Sequence, residues 1–206
     1  MSFASVSFLL FFLVVLLLLL LVQRVLPFAE IKRRIICQGI LLIASYVFYG
    51  WWNMRLCLLL MGITWISFFT AVKKDEKHLR QSRISLLIGV GTPLAVLGIF
   101  KYYDFFVTSF CDVFHLTPGV LNLILPVGIS FYTFQALSYT IDVYTGKIEK
   151  EKSFLQFALY LSFFPQLVAG PIVKASEFLP QLKENRKVTL AGLESGIQIF
   201  VFGMFK

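Results

Sequence analysis

The sequence predicts an all-α, polytopic integral membrane bundle, and three observations carry that prediction. Apolar residues make up 58% of the chain, charged residues only 15%, and the mean hydropathy is +0.83. Ordinary soluble domains do not reach that balance. Uncharged apolar runs recur, several of them long enough, at about 1.5 Å per residue, to cross a hydrocarbon core of roughly 30 Å. Lys and Arg gather in the stretches between those runs, as they do in the loops of membrane proteins. The length allows about six or seven membrane segments in one membrane domain over residues 1–206, one of them broken or re-entrant.

Phe3 to Val22 is the first span. It has no basic leader and no small-residue cleavage site, so it reads as a retained helix and not a signal peptide. Arg24, Lys32, Arg33 and Arg34 follow it, against Glu30. Ile35 to Met54 is the second span and ends in the aromatic run Tyr46 to Trp52, a membrane-interface signature. Leu56 to Val72 is the third. The loop from Lys73 to Arg83 carries five basic residues, Lys73, Lys74, Lys77, Arg80 and Arg83. Ile84 to Phe100 is the fourth span, with Gly89, Gly91, Pro93 and Gly98 predicting a kink and close packing. Lys101 to Thr117 is aromatic and weakly charged, which predicts a short interfacial helix. Leu121 to Ile141 is the fifth span, and Lys147, Lys150 and Lys152 follow it.

Basic loops after spans one, three and five place the N-terminus outside and residues 23–34, 73–83 and 149–152 in the cytoplasm. One conflict follows. If residues 153–173 crossed the membrane, Lys174, Lys183, Arg186 and Lys187 would lie outside. Pro165, Gly170 and Pro171 interrupt this segment, so two readings stay open: a full crossing, or a re-entrant dip that returns to the cytoplasmic side. Thr189 to Phe205 is a last candidate span, and it contains Glu194.

The chemistry-bearing residues are few. Tyr132, Gln135, Tyr139 and Asp142 share one helical face at spacings of three, four and three. An ionised Asp within a membrane costs roughly 2.5–3.5 kcal/mol, so it faces a bundle or a cavity. That face reads as one wall of a substrate path, or as hydrogen-bond glue between helices with Asp142 near the interface. Pro165, Gln166, Gly170 and Pro171 are the matching candidates in the interrupted segment, because broken backbone survives in hydrocarbon only against protein or a water-filled cavity. His78 and His115 sit in a charged loop and an aromatic stretch, surroundings that favour solvated or packed histidines. No metal-ligand spacing and no phosphate-binding loop can be read. The net charge of +8 fits loop orientation and does not indicate nucleic acid. Cys37, Cys57 and Cys111 are isolated packing residues.

Two stretches are distinctive: LPVGISFYTFQALSYTIDVYTG, Leu125 to Gly146, and SFFPQLVAGPIVKASEFLPQL, Ser162 to Leu182. With KYYDFF at Lys101 and the terminal FGMFK, the chain resembles the membrane-bound O-acyltransferase family. It is most similar to the bacterial branch that includes the alginate O-acetyltransferase membrane subunit. The resemblance implies a helical bundle around a funnel in the bacterial cytoplasmic membrane. It implies an acyl group, acetyl above all, taken from acetyl-CoA or an acyl carrier protein thioester, with no bound cofactor. The acceptor it implies is a hydroxyl of an extracellular polysaccharide or wall polymer. A carrier protein and a periplasmic or extracellular acyltransferase are the implied partners, besides the bilayer. It also implies a histidine beyond Lys206, so the chain is expected to be the N-terminal half of a longer enzyme and inactive alone. A transporter or channel component, with Asp142 and Pro165–Pro171 forming a midplane site, is the alternative.

Overall fold

The computed structural model describes residues 5–25, 29–51, 53–75, 77–114, 126, 128–167, 170–184 and 190–205. Its regular elements are all helices: α1 (Val6–Val25), α2 (Glu30–Gly50), α3 (Met54–Thr70), α4 (Leu79–Phe114), α5 (Ile129–Tyr144), α6 (Phe154–Ser162), α7 (Phe164–Leu167), α8 (Ala175–Lys183) and α9 (Leu190–Phe205). By length and composition, α1 and α4 are each long and apolar enough to cross a membrane.

The apolar pattern decides the packing. Almost every large side chain of α1 is hydrophobic, so one stripe is buried and the rest faces outward. Phe8, Val15 and Val22 are buried, while Leu10, Val14, Leu17 and Leu21 are exposed. The same outward apolar surface continues on α3 and α4 through Leu58, Trp65, Leu87 and Ile99. Such a surface suits lipid. The centre is formed by α2, α3, α5 and α6, where Phe48, Leu60, Tyr132, Tyr139, Phe157 and Tyr160 are completely enclosed. Helix α4 lies alongside α5 and α3. The contact is close because Gly89 has no side chain: a methyl group there would strike Thr70 Oγ1 and Thr140.

Helix α4 differs from expectation. The fourth span and the predicted interfacial helix are one continuous helix of 36 residues, roughly 54 Å long. Pro93 lies inside it. Between Gly98 and the end of α4 there is no Gly or Pro, so nothing in Lys101–Phe114 stops the helix. The residues Thr117, Pro118 and Gly119, and the start of the fifth span at residues 121–125, lie outside the described residues. So does His115.

The basic stretches converge on one end of the bundle. The N–H of Lys74 donates to the Tyr144 carbonyl (3.1 Å), joining the loop after α3 to the end of α5. The Arg34 guanidinium donates to the Lys183 carbonyl, and Gln38 Nε2 to the Leu182 carbonyl (2.8 Å), joining the first turns of α2 to the end of α8.

Candidate functional site

The two distinctive stretches are brought together. The second begins as α6 and breaks at Phe163. After α7 the chain passes through a non-helical stretch at Gly170–Lys174 and comes back along α8. The departure and the return meet: Lys183 Nζ lies 2.7 Å from Glu151 Oε2. Residues 153–183 therefore form a hook with its mouth at the basic end. Helix α2 measures its depth. The return limb touches Gln38, and the tip touches Ser45 and Phe48. From Gln38 to Phe48 the helix rises roughly 15 Å.

The mouth is built from a capping pattern. Ser153 caps α6 by accepting from the Gln156 N–H (3.4 Å). The buried Glu151 accepts from the N–H groups of Lys152 (2.9 Å) and Ser153 (3.0 Å) through Oε1. Burial pushes its carboxyl up. The hydrogen bond and charge of Lys183, with those two N–H groups, outweigh burial and leave it below its ordinary value. The Glu151 N–H donates to the Tyr139 hydroxyl (2.9 Å), which ties this loop to α5. Lys150 rests 5.3 Å from the centre of the Phe68 ring, and burial lowers its pKa.

At the tip, one donor and one acceptor among the backbone groups that the break frees find side-chain partners. The Phe164 N–H donates to Ser45 Oγ of α2 (3.2 Å). Gln166 Nε2 donates to the Tyr160 carbonyl (2.9 Å), at the open end of α6. The tip is further held by rings: Phe164 lies 5.7 Å from Phe48 and 5.4 Å from Phe11. The start of α5 closes over it. Gly128 takes φ +74°, and a methyl there would overlap the Leu167 carbonyl oxygen. Between the two limbs, the hydroxyl of Tyr160 in α6 donates to the Val173 carbonyl of the return (3.1 Å), with Ser138 and Asp142 alongside.

Each candidate named from the sequence has a place here. Tyr132, Gln135 and Tyr139 are buried on the face of α5 that meets the bundle. Asp142 is on the same side, near the helix end, where its carboxylate pairs with Lys147 (3.5 Å). Gln166 is buried and Pro165 and Pro171 are exposed, with Gly170 between. Asp142 approaches the hook at Tyr160 of α6, and not at the tip. His78 is in an exposed loop, 3.1 Å from Asp75. Ser45, Gln38, Glu151, Tyr160 and Lys183 are absent from the sequence-level candidates. Of these, Glu151 carried a readable signal, the Ser153-x-x-Gln156 capping pattern beside it.

The chain is 38% identical over 173 residues to a protein of Pseudomonas putida named "Probable alginate O-acetylase AlgI", a match covering 81% of this chain and 36% of that relative. The protein of the same name in Pseudomonas aeruginosa is 37% identical over 173 residues, covering 81% and 33%. The peptidoglycan O-acetyltransferase of Helicobacter pylori is 35% identical over 193 residues, covering 81% and 37%. The chain thus spans about a third of the length of these curated relatives. No protein-family profile matches it, and no solved structure does.

Proposed function

We propose, from the premise that this chain belongs to the membrane-bound O-acyltransferase family, that it forms the donor-side scaffold of an enzyme that acetylates an exported polymer. The basic end is cytoplasmic and the protein is multi-pass in a bacterial cytoplasmic membrane. The donor is a thioester, acetyl-CoA or an acyl carrier protein. The acceptor is a hydroxyl of an extracellular polysaccharide or of the wall polymer. In the transfer the acyl carbon–sulfur bond breaks, a carbon–oxygen bond forms, and the acceptor's proton leaves with the thiol.

The observation that carries this reading is the hook. Residues 153–183 leave and re-enter the basic end, and their tip reaches roughly 15 Å along α2. A donor that arrives from the basic side needs such an inward element. The hook also eases the charge conflict of a full crossing, because Lys183 then stays with the other basic residues. Neither the Asp75-bound His78 nor Asp142 at its helix end is offered as the general base. The family supplies a histidine for that role.

The test is complementation. The intact protein is expressed in cells lacking their own membrane O-acetyltransferase, and base-labile acetate on exported polysaccharide and on wall polymer is measured. Ester acetate on one of the two polymers is the expected outcome. Protein that reaches the membrane and leaves both polymers unacetylated argues against the enzyme reading. Uptake of a small anion or cation in its place favours the transporter.

A further inference from the structure

We infer that the phenols of Tyr49 and Tyr132 form a two-donor subsite for the carbonyl oxygen of the acyl group, an inference that rests on the O-acyltransferase reading above. Tyr49 comes from the last turn of α2 and Tyr132 from the first turn of α5. Their rings meet edge-on, with centroids 6.4 Å apart and planes at 84°. They are 3% and 0% exposed. The two hydroxyls lie beside each other, and among the described residues neither makes a hydrogen bond of good geometry or has a partner outside the pair.

The neighbouring buried tyrosines behave differently. Tyr139 accepts from the Glu151 N–H, and Tyr160 donates to the Val173 carbonyl. A phenol O–H left buried without an acceptor costs about 1–3 kcal/mol, the two hydroxyls can satisfy at most one O–H between them, and phenylalanine would fill the same space without that cost. Two such groups side by side mark a place shaped for a ligand and not for stability.

The location agrees. Ser45, one turn before Tyr49, holds the Phe164 N–H at the hook tip. The Tyr132 N–H bonds to the carbonyl of Gly128, the residue packed on Leu167. The pair therefore lies against α7 and is closed in this structure. Helix α7, four residues long, covers the pair, so a ligand reaches the two phenols only if α7 moves aside. Two neutral O–H donors in a low-dielectric interior suit an oxygen that gains negative charge as a tetrahedral intermediate forms. They carry no fixed charge for a carboxylate or phosphate, and they offer no ligand set for a metal.

The experiment uses the intact protein, purified from membranes, with Tyr49→Phe, Tyr132→Phe and the double variant. The probe is S-acetyl-phosphopantetheine carrying a carbon-13 carbonyl, the portion that both thioester donors share. Its carbonyl stretch is read by difference infrared spectroscopy, with acetyl transfer per folded molecule and thermal midpoint measured alongside. In the wild type the bound carbonyl band moves to lower frequency. Each single variant loses part of that shift and about 10-fold or more in transfer rate. The double variant loses the shift entirely, and thermal midpoints are unchanged or raised. An unshifted band in the wild type, a shift that survives in the double variant, a double variant at full rate, or a fall in thermal midpoint on losing the hydroxyls overturns the subsite. A shifted band in a wild type that transfers acetyl to neither polymer rejects the O-acyltransferase reading and leaves the subsite standing.

Discussion

The ammonium of Lys183 stands 2.7 Å from the carboxylate of Glu151, so the hook closes beside the residues where it opens. Glu151 is buried, while the Lys183 side chain is 56% exposed. Water screens part of this pair, and the two N–H groups held by Glu151 are as much a part of its role as the ion pair.

Replacing Glu151 by Gln should lower stability by about 1–2 kcal/mol, below the full cost of breaking a buried pair because Lys183 is wet. The folded carboxyl lies below its unfolded value of 4.5. Its contribution is therefore complete above about pH 4.5 and fades as the pH falls through the lowered folded value. Thermal midpoints in detergent between pH 7 and pH 3 check this. The wild type should lose stability over the acid end of the range more steeply than Glu151→Gln. Parallel curves would show that Glu151 does not titrate with folding.

Alanine at the two left-handed glycines should separate strain from contact. Gly128 and Gly146 have φ of +74° and +76°, so each substitution costs about 1–2 kcal/mol of backbone strain. At Gly146 the new methyl meets only the flexible Lys73 side chain, with Cε at 3.4 Å and Nζ at 4.0 Å. At Gly128 it overlaps the Leu167 carbonyl. Gly128→Ala should cut folded yield severely and Gly146→Ala mildly. Equal losses would mean that the start of α5 is not pressed against the hook.

Ser45→Ala leaves the Phe164 N–H buried and unpaired, at a cost of about 1–3 kcal/mol. Thr108→Val is the control, because the Thr108 hydroxyl only bonds back to the Asp104 carbonyl of its own helix. A thermal midpoint that drops for the first variant and holds for the second is the expected result. If both hold, the tip does not depend on α2.

Asp142→Asn should leave both yield and acyl transfer near wild type. The carboxylate pairs with Lys147, whose side chain is 70% exposed, and such pairs contribute about 0–1 kcal/mol. Transfer per folded molecule that falls while yield holds would return the Asp142 charge to the substrate path.

In a cysteine-free background, single cysteines at Lys152 and Gln181 should be labelled from the same side, and only after the membrane is made permeable. Lys152 precedes the departing limb, Gln181 lies near the end of the return limb, and both are exposed. Labelling from opposite sides would turn the hook into a crossing.

Much of this arrangement could be read from residues alone. Pro165, Gly170 and Pro171 announce a broken segment, and the break falls at Phe163 for a physical reason. The ring of Pro165 would clash with the carbonyl of Leu161 in a continuous helix. Once α7 starts afresh at Phe164, Pro165 sits in a first turn, where its missing N–H is harmless. The face from Tyr132 to Tyr139 follows from helical spacing. The partners of the hook could not be read. Ser45 in an apolar run looks like any small residue, and only the approach of a distant chain gives its hydroxyl a task. Glu151, among Lys147, Lys150 and Lys152, looks like a counter-charge, and the nearby capping pattern is a weak sign of its burial. The aromatic composition of Lys101–Phe114 pointed to an interfacial helix, and its lack of Gly and Pro was the better guide.

The side chains that hold the hook bear on how the protein is made. Ser45, Gln38, Arg34 and Glu151 all precede the groups they bind, namely Phe164, Leu182 and Lys183. Synthesis is vectorial, so α2 is already in place when residues 153–183 emerge. The freed Phe164 N–H then meets a waiting hydroxyl and not bare hydrocarbon. For these contacts the template is always older than the piece it shapes, and the hook can settle during translation without waiting for any later part of a chain.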